Sequence, residues 1–168
     1  MALFKENKNE SQAQVKKITS SSTFISQDIE VTGNFKGEGS LQVEGTLHGD
    51  IQVTSVVIGE SGKVIGEIKA KNVIINGNLK GSIQCDSLEV MKNGSISNII
   101  DVKNLKVTGE VEGKVTVSNL LEIEKTGYVH GEIILNKIIT EEGGRIMGSM
   151  QQYKEAIKKE SIKDEEKE

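Results

Sequence analysis

The sequence contains no proline and no tryptophan, and aromatic residues fill only 3% of its 168 positions. Rounded cores lean on aromatic side chains that each bury ~150–250 Å², so a thick globular interior is excluded. A chain without proline never loses a backbone donor to a pyrrolidine ring, which suits strands bonded on both sides. The single cysteine excludes an internal disulfide or a paired-cysteine metal site, and a reducing compartment is the simpler setting. No run approaches the ~20 apolar residues of a membrane span. The opening "MALFKENKNE" is too polar for a secretory leader, so a cytoplasmic protein is expected. Basic and acidic residues number 21 and 25, interspersed, with a net charge of −4. Nucleic-acid binders collect a basic surplus on one face, and none is visible here.

What is present is glycine, 18 residues of it, set among valine, isoleucine and leucine. The stretch "VIINGNLKGSI" (Val73–Ile83) has close copies at "LQVEGTLHGDI" (Leu41–Ile51) and "LKVTGEVEGKV" (Leu105–Val115). A Gly-x-apolar-x-Gly segment starts at Gly45, Gly62, Gly77, Gly94, Gly109, Gly127 and Gly144, with Asn98 replacing the second glycine of the Gly94 copy. The intervals are 17, 15, 17, 15, 18 and 17 residues. A fixed period of this kind marks a stacked array, in which each unit buries its apolar face only against its neighbours.

Alternate side chains of a strand face opposite sides. Val73, Ile75, Gly77, Leu79, Gly81, Ile83 and Cys85 therefore share one side, taken as the inside. Polar pairs then flip the parity at Thr54-Ser55, Lys71-Asn72, Asp86-Ser87, Lys103-Asn104 and Asn136-Lys137. Such residues suit corners because they bond locally to the backbone. Two extra residues at another corner ("GES", "MKN", "EKT") account for the alternation of 15 and 17. Three short strands per turn, wound on themselves, make a β-helix whose inward residues stack ~4.8 Å apart in ladders. The expected fold is all-β: a right-handed β-helix of six to seven coils, triangular in section, over residues 23–150. Tails at 1–22 and 151–168 are too polar to offset chain entropy; the second has a short-helix alternative with Met150, Tyr153 and Ile157 along one side. An antiparallel barrel with turns at Asn76-Gly77 and Asn93-Gly94 is the first rival. It does not require like residues to recur at a full turn. A left-handed hexapeptide helix is the second, and the parity flips fit it poorly.

Chemistry is scarce. His48 and His130 fall in one outward column with Ile65, Lys80, Ser97, Glu112 and Met147. Such scatter suits a solvated or packed face. Cys85 shares an inward column with Val53, Ala70, Val102, Val117 and Leu135, which reads as a small buried hydrophobe. "GESGKV" and "GEVEGKV" lack the spacing and the hydroxyl residue of a phosphate loop. No cofactor, metal or catalytic site is expected. What remains is the two ends, where unpaired strand edges are exposed. Natural solenoids cover theirs with polar caps, but here the terminal coils are apolar. Phe24, Ile25, Ile29, Val31 and Phe35 stand at one, and Ile138, Ile139, Ile146, Met147 and Met150 at the other. Ends stacking on ends would build a filament, whereas a tail folded over each end is the plain alternative. Met1, Leu3, Phe4 and Lys5 form a weak membrane-targeting start that many copies along a filament would strengthen.

The motifs "VEGTLHGDI", "INGNLKGSI", "VTGEVEGKV" and "TGYVHGEI", set between two short polar tails, resemble the bactofilin family of bacterial cytoskeletal proteins. The resemblance spans about Phe24 to Met150. It implies a right-handed triangular β-helix and nucleotide-free, end-to-end assembly into non-polar filaments. It also implies scaffolding at the inner membrane, with recruitment of cell-wall enzymes or membrane proteins in cell-shape control. "MALFK" is similar to the family's short membrane-targeting start. The interval of 12 residues from Gly33 to Gly45 departs from the period and leaves the first coil's register open. Two other classes compete: a small acyltransferase-like enzyme using His48 or His130, and a ligand-binding solenoid that stays monomeric.

Overall fold

The computed structural model describes residues 21–154 of the chain. Every element among them is a strand, and every pairing is parallel. The early coils are written in short strands: β1 (Ser22–Ile25), β2 (Glu30–Thr32), β3 (Phe35–Lys36), β4 (Ser40–Val43), β5 (Thr46–His48), β6 (Ile51–Gln52), β7 (Ser55–Ile58) and β8 (Lys63–Lys69). After β9 (Asn72–Ile75) the strands lengthen and bend round corners: β10 (Asn78–Val90), β11 (Ser95–Val107), β12 (Glu110–Ile123), β13 (Tyr128–Thr140) and β14 (Arg145–Gln152). The chain is a parallel β-solenoid with three runs and three corners per turn.

One column of paired positions counts the turns: Ser22, Ser40, Ser55, Asn72, Ser87, Asn104, Leu120 and Lys137. There are eight coils, more than the six to seven expected. The extra one is the first, which no Gly-x-apolar-x-Gly segment announces. There Gly33 pairs into the second-glycine column, its N–H donating to the His48 carbonyl, and Glu30 pairs with Thr46. Ile29 therefore stands in the column that Gly45 and its successors occupy. The structure resolves the register that the 12-residue interval leaves open.

The inward parity holds throughout. Ladders run Leu41-Val56-Val73-Leu88-Leu105-Leu121 and Val43-Ile58-Ile75-Val90-Val107-Ile123 on the first side, and Leu47-Val64-Leu79-Ile96-Val111-Val129 on the second. The third side carries Ile51-Ile68-Ile83-Ile100-Val115-Ile133. All are buried, each such side chain contributing about 1.5–3 kcal/mol relative to exposure. No buried polar residue interrupts this core among the described residues.

Corners follow local chemistry. The long ones close with a turn in which Gly62, Gly94, Gly127 and Gly144 donate to the carbonyls of Gly59, Met91, Glu124 and Glu141. The 18-residue interval arises from an added residue at another corner, where the register shifts between Val117 and Leu120. Asn119 there donates to the Asn104 side chain at 2.7 Å. At the remaining corner the second glycines sit at positive φ, +142° at Gly81. Asn98 is forced to +116° in the same column. At the C-terminal end β14 runs to Gln152, past the expected boundary at 150, and the Tyr153 N–H donates to the Leu135 carbonyl. Met150 is thus in a strand, not at the start of a helix. Residues 1–20 and 155–168, including Ile157 and most of both expected tails, lie outside the described residues.

Candidate functional site: the two terminal coils

Among the described residues His48, His130 and Cys85 are not brought together. His48 pairs across coils with Glu30, Nε2 to Oε1 at 3.2 Å. His130 stacks on Tyr128 with ring centroids 6.3 Å apart and planes at 7°. The two histidines share a column but are five coils apart, roughly 24 Å at one strand spacing per coil. A lateral hollow of about 360 Å³ is lined by Ile74, Glu89, Lys106, Leu120 and Glu122 among others and lies open on the first side. Beside it Lys106 reaches Glu124 at 2.8 Å. Among the described residues no group of three or more His, Cys, Asp or Glu is placed to hold a metal.

Cys85 is a rung of the inner ladder, between Ala70 and Val102. Burial, with the negative charges of Asp86 and Asp101 nearby, pushes its thiol from near 9.0 up to about 12. The unfolded thiol ionises above pH 9 while the folded one stays protonated. Its contribution is therefore fully present below pH 9 and is lost as pH rises towards 12, by about 1.4 kcal/mol per pH unit. Urea titrations at pH 8 and pH 10.5 should show Cys85→Val gaining on the parent chain at the higher pH; parallel losses would contradict it.

The ends are different. Among the described residues β1 and β14 terminate the order of the sheet, while β2 and β3 each have a partner on one side only. The core ladders run off these edges. At the C-terminal coil Ile138 follows Leu121, Ile146 follows Val129 and Met150 follows Ile133. Ile133 is 0% exposed, and Met150 one rung later is 49% exposed. At the N-terminal coil Val31 and Phe35 stand below Leu47 and Ile51, half-buried against the core. Ile29 is 47% exposed.

The predicted end residues therefore divide into two sets. Ile29, Val31, Phe35, Ile138, Ile146 and Met150 occupy columns that face along the tube. Ile25 shares that parity but is buried in the core already. Phe24, Ile139 and Met147 pair with Gln42, Glu122 and His130, which puts them in outward columns. They are exposed on the side walls near the rims and not on the tips. Composition shows that all ten are apolar; only the pairing register separates tip from rim. Met1, Leu3, Phe4 and Lys5 lie outside the described residues.

The described residues form a narrow repeat tube of the parallel β-solenoid class, with apolar side chains of the inward columns, Ile29, Ile138 and Met150 among them, exposed at its two tips. A family model for bactofilins, described as polymer-forming cytoskeletal, matches it twice, over residues 23–100 and 77–151. The chain belongs to the bactofilin family. The double, overlapping match follows from the repeat, since one run of coils aligns with either half of the tube. No curated protein and no solved structure matches significantly.

Proposed function

We propose that this chain is a cytoskeletal scaffold that assembles end to end into nucleotide-independent, non-polar filaments in the cytoplasm. They would lie on the inner face of the cell membrane and organise cell-wall enzymes or membrane proteins that set cell shape. The observation that carries the reading is the exposure of inward ladder positions at both tips, in a chain of a polymer-forming family. Among the described residues each tip presents apolar side chains and a row of unpaired strand edges, and a second tip satisfies both. No nucleotide is needed for that contact, because the attraction is burial of apolar surface. Membrane contact rests on Met1, Leu3, Phe4 and Lys5. One such tail binds weakly, and a filament multiplies it.

Negative-stain microscopy of the purified chain without nucleotide should show filaments about as wide as one solenoid or a bundle of them. Monomers at every concentration would refute the proposal. Deleting residues 1–8 should leave filaments intact and abolish their sedimentation with liposomes; undiminished sedimentation would remove the tail from the membrane contact.

A further inference from the structure

We infer that Ile29 is a steric stop that forbids coil 8 of one copy from continuing into coil 1 of the next. This rests on the end-to-end assembly proposed above and assigns its direction to one residue. Seven coils carry glycine in the Ile29 column: Gly45, Gly62, Gly77, Gly94, Gly109, Gly127 and Gly144. At each, an added Cβ would press on the coil before it or on the inward Cγ atoms that fill the corner. At Gly77 it would meet the carbonyl oxygens of Gly62 and Gly59, at Gly109 those of Met91 and Gly94. In every copy at least one of the atoms met belongs to the preceding coil. Glycine in this column is thus the condition for having a coil stacked in register beneath.

Coil 1 is the one coil with no other described coil beneath it, and it is the one with a four-carbon side chain in this column. In a head-to-tail junction Gln27 would lie over Glu142 and Ile29 over Gly144, because the 26–29 corner matches the 141–144 corner residue for residue. At Gly144 itself even a Cβ would come within 2.8 Å of the Ile123 Cγ2 and 3.0 Å of the Thr140 Cγ2. Such approaches are closer than packed interiors permit, and isoleucine adds three more carbons. The remaining contact at this tip is with the same tip of a second copy. There the two chains need not share the parallel register, and Ile29 packs as apolar surface.

The test uses the reporters Gln27→Cys and Glu142→Cys together in one chain, assembled and treated with a short bis-maleimide. In a head-to-tail junction these positions would be one strand spacing apart, ~4.8 Å. Cys85 is buried with its thiol held protonated, so it does not compete in the folded chain. With Ile29 present, 27–142 links should be absent. With Ile29→Gly they should appear and extend to multimers, at least tenfold above the parent, while a circular dichroism spectrum shared with the parent reports an intact fold. Links between 27 and 142 with Ile29 in place would overturn the inference, as would their absence from folded, assembled Ile29→Gly. A parent chain that never assembles would instead sink the proposed function itself.

Discussion

An Ile146→Glu chain is expected to stop at dimers, and a chain carrying both Phe35→Asp and Ile146→Glu at monomers. Ile146 is the last rung of the Val129 ladder and is half-buried at the C-terminal tip. A carboxylate there is solvated in the free chain, so the fold survives. In a tip-to-tip contact it becomes a buried charge without a partner, at a cost of about 3–5 kcal/mol. With tenfold in affinity for every 1.4 kcal/mol, that junction weakens by about 10²- to 4 × 10³-fold. In a non-polar filament the N-terminal junction is a separate surface and stays intact, which leaves pairs. Phe35→Asp removes that second junction in the same way. Analytical ultracentrifugation of the two variants reads the outcome directly. Unchanged filaments from Ile146→Glu would show that the C-terminal tip takes no part. Monomers from the single variant would show that both junctions use it, as in a polar filament. A glutamate at Val111, in the middle of the same ladder and fully buried, should by contrast prevent folding altogether.

The second large effect concerns the glycine corner. Gly81→Ala should destabilise the solenoid by about 2 kcal/mol or more, and Asn98→Gly should stabilise it by about 1 kcal/mol. Gly81 holds φ at +142°, and a methyl there would run into the Gly66 carbonyl oxygen of the coil below. Residues with side chains held at such angles cost about 1–3 kcal/mol. Asn98 bears that cost already, its φ drawn to +116°. Replacing it with glycine releases the strain and gives back roughly 0.5–1 kcal/mol in chain entropy. At 2–4 °C per kcal/mol for a chain of this size, the two melting temperatures should move in opposite directions, by roughly 4–8 °C down and 2–4 °C up. A loss of stability in Asn98→Gly would mean that the asparagine side chain makes a contact worth more than the strain. Because both positions lie in the wall, neither change should alter the tip contacts.

The alternation from Val73 to Cys85 made the inside of the tube readable, because strand parity is a property of adjacent residues. The same reading correctly grouped His48 with His130 and Cys85 with Val102, columns that the pairing register reproduces. It failed where the signal was a substitution and not a pattern. Ile29 hides the first coil, since an isoleucine in a glycine column looks like any apolar residue, and the count of coils fell short accordingly. It also failed at the rims. Phe24, Ile139 and Met147 are as apolar as Phe35 and Ile146, and hydrophobicity carries no direction.

By itself the sequence determined the ladders, the corners and the period, because these depend on side-chain alternation and on which residues tolerate a bend. Only the tertiary structure decided which residues face along the axis at the tips. A tip is defined by the coil that does not follow, and that vacancy exists only once every strand has found its partner.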